Sequence, residues 1–238
     1  VPGGQAGGAG ARYGEGDAEP GGAGEFVESV PAHGSEQALL TAEAGGAGAR
    51  LGGIAGVAKA ADIVRPIVSA VAPSGRPAIV VKAPRAVAGG IAGRAEDSAV
   101  DGGPVAAAGG GTGPNVFNLS IAVTEAADSA VIGGIVGENL ATSIERVTTR
   151  RTNVAACGPR PVIGGLAGAH EGTDHAYLSF NFAGELMILT AASSVSAVVG
   201  GMVGRNEKQP SDPAMSPAAG VSTMQNNRIV GEIDARSP

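Results

Sequence analysis

The sequence is short of the aromatic residues that supply much of the buried area in ordinary protein interiors. Of its 238 residues only 3% are aromatic: four phenylalanines, two tyrosines and no tryptophan. Burial must therefore come from Val, Ile, Leu and Ala, at about 1.5–3 kcal/mol for each fully buried Val, Leu or Ile. Because small side chains fill space only where backbones approach closely, a core of ordinary composition is not expected.

Cysteine and charge are scarce as well. Cys157 is the only cysteine, which excludes a disulfide scaffold. Charged residues make up 16% of the chain and apolar ones 43%, a combination that disfavours disorder. The formal net charge is −6, and the densest basic run is short, spanning Arg146 to Arg151. We therefore expect no nucleic-acid partner, because phosphate binding needs clustered Lys and Arg.

Motifs for common chemistries are missing too. The sequence contains no phosphate-binding loop, no Gly-x-Ser-x-Gly and no His-Glu-x-x-His. The longest candidate for a membrane span runs from Leu186 to Gly204, but it is interrupted by serines and glycines and is better interpreted as two adjacent buried strands. We predict neither an enzyme nor a cofactor nor a membrane span. The chain begins at Val1 and its first methionine is Met187, as expected of a processed chain or a fragment.

What the sequence has in excess is glycine, 41 residues in all, and much of it belongs to a repeat. The pattern apolar-Gly-Gly-apolar-(Ala or Val)-Gly starts at Leu51, Ala88, Ile132, Ile163 and Val199, so consecutive copies begin 31 to 44 residues apart. We expect these glycines to allow tight corners with positive φ and close approach between successive coils. The repeat glycines are Gly52, Gly53, Gly56, Gly89, Gly90, Gly93, Gly133, Gly134, Gly137, Gly164, Gly165, Gly168, Gly200, Gly201 and Gly204.

Short β-branched runs lie between the glycine motifs and end at Gly, Pro, Asn or Ser, which is typical of strands. Residues 116–123 alternate, with Phe117, Leu119, Ile121 and Val123 expected on one face. One helical turn could form at residues 126–130. Stacking such units buries the apolar face that one unit alone would expose. The prediction is an all-β fold, a parallel β-solenoid of about five to six degenerate repeats.

The repeat also suggests how the chain is organised. Residues 51–238 hold the clear copies, with a Pro-rich loop at residues 209–217. Residues 1–50 form a Gly/Ala-rich N-terminal segment with one degenerate copy, because the string Ala6 to Arg12 recurs at Ala44 to Arg50. We expect that early copy to be in phase with the others.

The glycine repeat resembles the GLUG motif of large secreted and surface proteins of bacteria, including filamentous-haemagglutinin-like adhesins. The resemblance is carried by residues 133–137, 164–168 and 200–204, and more weakly by residues 52–56 and 89–93. Asn139 and Asn206 also fit the asparagine that often follows the motif. The resemblance implies extracellular or cell-surface display and a role in adhesion or scaffolding. It implies no catalytic residues.

One polar cluster is a weak candidate for a metal site. His170, Glu171, Asp174 and His175 carry side chains that bind zinc or copper, although their spacing fits a solvent-exposed turn better. The leading interpretation is an extracellular structural or adhesive β-solenoid that self-associates head to tail, as a homo-oligomer or filament subunit, with other surface proteins or glycans as further partners. The alternatives are a carbohydrate-active β-helix enzyme and a passive repeat segment of a larger surface adhesin.

Overall fold

The computed structural model describes residues 5–7, 11–15, 25–29, 41–69, 77–103, 114–172, 177–191, 193–194, 196–208 and 223–235. Within these ranges the chain is all-β and contains no helix. The described ranges therefore hold no helix that could cross a membrane. The expected helical turn at residues 126–130 is absent, and these residues lie in turns between two strands.

In the described ranges twenty-six strands form four sheets, which we name A to D. Sheet A has nine strands: β1 (Gln5–Gly7), β4 (Thr41–Ala44), β8 (Val68–Ser69), β9 (Ile79–Val81), β13 (Val116–Phe117), β14 (Ser120–Val123), β18 (Thr148–Ala156), β22 (Phe182–Thr190) and β26 (Arg228–Ala235). Sheet B has seven strands: β2 (Ala11–Glu15), β3 (Glu25–Ser29), β6 (Ala55–Lys59), β11 (Ala92–Glu96), β16 (Val136–Leu140), β20 (Ala167–Gly172) and β24 (Val203–Lys208). Sheet C has five strands: β5 (Arg50–Gly52), β10 (Val87–Gly89), β15 (Val131–Gly133), β19 (Val162–Gly164) and β23 (Val198–Gly200). Sheet D also has five: β7 (Asp62–Val64), β12 (Ala99–Asp101), β17 (Ser143–Glu145), β21 (Tyr177–Ser179) and β25 (Thr223–Gln225).

From β5 onward the chain visits the sheets in the constant order C, B, D, A, and each strand pairs in parallel with its counterpart in the next round. The first glycine of each motif lies in register with the next, so that Gly52, Gly89, Gly133, Gly164 and Gly200 form one ladder across sheet C. Neighbouring strands in such a stack lie about 4.8 Å apart. These stacked parallel strands are consistent with the β-solenoid or β-helix that the sequence predicts.

Aliphatic ladders fill the interior. In sheet A the side chains of Ile79, Ile121, Val154 and Ile188 occupy the same register position in successive strands. All four are at most 1% exposed. Each side chain is thus covered above and below by an equivalent one, and no aromatic residue is needed to close the core.

The strand predicted for residues 116–123 is interrupted. Asn118 has a φ of +55°, which separates β13 from β14. The bend reverses the alternation, so Val116 points inward with Leu119, Ile121 and Val123, whereas Phe117 is only partly buried. The prediction that Phe117 shares a face with Leu119, Ile121 and Val123 was therefore wrong for Phe117 and right for the three residues after the bend.

Most corners of the rounds are turned by residues other than glycine, although Gly103 has positive φ where the chain leaves β12 of sheet D. Non-glycine residues with positive φ recur at equivalent places, for example at Arg146, Phe180 and Asn226 between sheets D and A. In the described ranges the only glycines with φ in the left-handed region are Gly48 and Gly103. The expectation that the repeat glycines supply positive φ was therefore wrong.

The N-terminal strands pair differently from the rest. β1 pairs antiparallel with β4, β2 pairs antiparallel with β3, and β3 meets β6 antiparallel at a single position, Phe26 opposite Ala55. The degenerate copy around Tyr13 therefore lies opposite Val27 and does not continue the parallel ladder of sheet C. These strands lie along the N-terminal edges of sheets A and B.

Candidate functional site: the open end of the strand stack

The repeat glycines allow successive rounds to approach closely. A Cβ built on Gly165 would meet the side chain of Leu186 at 2.5 Å and would also clash with the carbonyl oxygen of Gly201. The same holds at Gly134, where a Cβ would overlap the carbonyl oxygen of Gly165. This confirms the expectation of close approach. At Gly201, in the last round, the nearest atom to such a Cβ is Cδ1 of Ile233, at 3.8 Å.

The candidate metal cluster is split by the structure. His170 lies in β20 with its side chain fully buried, at the same register position as Asn139 in β16 and Asn206 in β24. Glu171 is only partly buried, and Asp174 and His175 lie outside the described residues. The solvent-exposed turn expected for this cluster therefore does not include His170. The described residues contain no group of three or more His, Cys, Asp or Glu that could hold a metal ion.

Burial makes His170 a neutral residue. Desolvation lowers the pKa of its imidazole from 6.5 to about 4. Neither ring nitrogen has a hydrogen-bond partner in the structure, and neither does Nδ2 of the adjacent Asn139. The ladder thus places polar side chains at three successive positions, and two of them, Asn139 and His170, are fully buried with polar atoms that have no partner, at a cost in stability.

Charged groups from neighbouring rounds meet where sheet D turns into sheet A. The Arg146 guanidinium donates hydrogen bonds to both carboxylate oxygens of Asp101, at 3.0 and 2.7 Å, and lies 2.9 Å from a carboxylate oxygen of Glu145. The hydrogen bonds from Arg146 lower the pKa of Asp101 and raise that of Arg146 itself. Interaction with Glu145 raises the pKa of Tyr177 in the next round. Arginine thus holds the Asp101 carboxylate ionised and paired.

An asparagine ladder at the same corner was missed by sequence reasoning. Asn181 donates from Nδ2 to the carbonyl of Ile144, at 2.9 Å, and accepts at Oδ1 from the amide of Val147, also at 2.9 Å. Asn227 repeats the arrangement one round later by donating to Leu178. The only available signal was an asparagine directly before the sheet A strand of each of these rounds, Asn181 before β22 and Asn227 before β26.

The C-terminal end of the stack leaves its interior uncovered. Ile233 in β26 continues the ladder of Ile188, yet it is 44% exposed. Met224 in β25 continues the ladder of Leu178 and is 39% exposed. Among the described residues, β23, β24, β25 and β26 each pair with one strand only. We define these four strands as the open end.

β26 also differs in shape from the strands below it. In β22 and β18 a residue with positive φ, Glu185 or Arg151, forms a bend in the middle of the strand. β26 has no counterpart of Glu185, because Val230 pairs with Gly184 while the next residue, Gly231, pairs with Leu186. The edge of sheet A therefore ends in a strand without the bulge that normally protects exposed edges.

The described part of the chain thus belongs to the class of all-β proteins built from stacked parallel strands. No protein-family model, no curated protein and no solved structure matches the chain.

Proposed function

We propose that the chain is a structural β-solenoid of about five turns that associates with other copies of itself through its open end. The observation that carries the proposal is Ile233, an inward position of a continuous ladder that is buried in four rounds and exposed in the last. Apolar surface and unpaired strand edges together favour association. The proposal further assigns the protein to the outside of the cell or the cell surface, where the resemblance to GLUG-motif proteins implies adhesion or scaffolding.

The charged side chains support a structural role. Arg146 joins Asp101 across two rounds, and Arg151 joins Glu185 with 3.0 Å between Nε and Oε2. Arg160 pairs in the same way with Asp128. Each pair links one round to another, so these charges act as rungs along the stack.

The mass of the protein in solution tests this proposal. Light scattering and negative-stain electron microscopy, at rising protein concentration and in high and low salt, should reveal species larger than one chain. Apolar contacts and backbone hydrogen bonds predict that these species persist in high salt. A mass of one chain at every concentration would refute self-association.

A second candidate function rests on the group formed by Asp101, Glu145, Arg146 and Tyr177. Acidic and basic groups that converge from adjacent rounds are expected of a carbohydrate-active β-helix enzyme. Release of reducing ends from polysaccharides, lost in Asp101→Asn, would support this candidate. The lowered pKa of Asp101 fits a carboxylate base or nucleophile but not a general acid at neutral pH.

A further inference from the structure

The edge of the last strand in sheet A is complementary to itself. In β26, Ile229 and Ile233 continue inward positions, so Arg228, Val230, Glu232 and Asp234 point outward. When two such strands run antiparallel about Gly231, Ile229 of one faces Ile233 of the other. Arg228 then faces Asp234, and both contacts occur twice.

We propose that the open ends of two copies of this chain dock against each other, with their β26 strands antiparallel about a two-fold axis at Gly231. The inference rests on the proposed self-association and states its geometry. A second copy is the occupant because this arrangement matches both the charges and the isoleucines of β26: a parallel pairing would place Arg228 beside Arg228, and an antiparallel pairing centred on Val230 would place Ile229 opposite Gly231.

The shape of the open end fits this arrangement. β26 lacks the bend found in β18 and β22, so it presents eight consecutive residues for pairing. Gly201 faces Ile229 and Ile233 across the interior, at distances of 3.8–4.0 Å from a built Cβ. The apolar side chains of the last round are thus covered by the same residues of the partner.

The opposite end is built differently: among the described residues β4 and β3 lie on sheets A and B there, whereas β5 and β7 each pair with one strand only. At the N-terminal end β3 lies antiparallel on β6, and β4 lies on β9. Head-to-tail addition would need the edge of β6 that β3 already contacts. Because the β26 contact uses the same strand of both copies, it closes on itself and gives a dimer and not an open fibre.

Sedimentation of the 238-residue chain over a wide concentration range tests the dimer. We expect a monomer–dimer equilibrium without larger species. Ile233→Lys should abolish the dimer, because it places a charge in the apolar contact. Met187→Lys is the matched control, because Met187 is 40% exposed but lies on the outer face of β22; this variant should dimerise normally. Circular dichroism checks that both variants fold.

Charge exchange tests the register and does not depend on a core substitution. Arg228→Asp and Asp234→Arg should each weaken the dimer about tenfold or more, since like charges then meet. The double variant should recover most of the affinity, because the exchanged charges attract again. Arg228 also stacks on the Phe182 ring, at 5.9 Å, a contact the double variant does not recover.

The possible outcomes distinguish the proposed self-association from the proposed dimer geometry. A monomer at every concentration overturns both the self-association and the dimer. A ladder of ever larger species overturns the two-fold dimer but leaves self-association standing. A dimer whose affinity is unchanged by the single charge reversals, or not restored by the double exchange, overturns the β26 register.

Discussion

The middle of the strand stack and its C-terminal end have the same residue pattern but different surroundings. Ile188 and Ile233 occupy one ladder, as do Gly165 and Gly201 in the second position of the glycine motif. Ile188 is fully buried, whereas Ile233 is 44% exposed. The comparison teaches that a repeat position acquires its structural role from the rounds on both sides of it.

Glycine substitutions should give the largest difference in stability loss between the middle of the stack and its C-terminal end. Gly165→Ala brings a methyl group against Leu186 and the backbone of Gly201, and we expect destabilisation by about 3 kcal/mol or more. Gly201→Ala meets only side-chain atoms at ordinary contact distance and should change stability by less than about 1 kcal/mol. Urea unfolding of both variants measures the difference. Equal losses would contradict the close approach inferred for the middle rounds.

Truncating an isoleucine of the ladder should likewise destabilise the protein more in the middle of the stack than at its C-terminal end. Ile188→Ala removes fully buried methyl groups and should cost about 2–5 kcal/mol. Ile233→Ala removes atoms that are partly in contact with solvent and should cost roughly half as much. Thermal unfolding at a protein concentration low enough to keep the chain monomeric provides the comparison. A larger loss at Ile233 than at Ile188 would show that the end is covered.

Lowering the pH should reduce the free energy of unfolding, because His170 is buried in its neutral form. In the folded protein burial lowers the pKa of its imidazole to about 4, whereas in the unfolded chain it titrates near 6.5. Protons therefore favour the unfolded state, and stability should fall by about 3 kcal/mol as the pH falls from 6.5 to 4.

His170→Asn provides the control, because Asn139 and Asn206 occupy the same position in adjacent strands. Urea titrations at several pH values should show a flatter pH dependence in this variant. An identical pH dependence in both proteins would remove His170 as the source.

Substitutions in the asparagine ladder should give the smallest difference in stability loss between the middle of the stack and its C-terminal end. Asn181→Ala leaves the buried amide of Val147 and the carbonyl of Ile144 without their partner, at a cost of about 1–3 kcal/mol. Asn227→Ala removes the partner of the Asn181 amide and of the Leu178 carbonyl. Because Asn227 is itself only partly buried, we expect water to replace part of these bonds and the cost to be smaller, about 1 kcal/mol. Denaturant midpoints report both values, and a greater effect at Asn227 would reverse the comparison.

The parallel stacking of the repeats could be predicted from the sequence, because a fixed motif at roughly regular spacing requires equivalent surroundings in each round. The first glycines of the motif lie in one ladder. Their close approach could also be predicted, since few other residues would fit. The uncharged stretch from Leu186 to Gly204, predicted as two adjacent buried strands, instead forms parts of three strands, β22, β23 and β24, and β23 is not buried.

The corners and the ends could not be predicted in the same way. Most of the non-glycine residues with positive φ are Arg, Ala, Ser, Phe or Glu, whose identities do not signal that conformation; Asp97, Asn118 and Asn226 are of the types that favour it. The bend at Asn118 changes the inward face of the preceding strand, and periodicity alone gives no warning of it. His170 was assigned to a turn because its polar neighbours hid the buried register position that it shares with Asn139.

Amide hydrogen exchange of the dilute, monomeric chain tests the central claim most directly. We predict slow exchange in β15, β18 and β19, which are paired on both sides, and exchange faster by at least about a hundredfold in β23 and β26. At high protein concentration the amides of β26 should become protected as its edge is covered. Protection in β26 equal to that in β18, in the dilute monomer, would contradict an open C-terminal end.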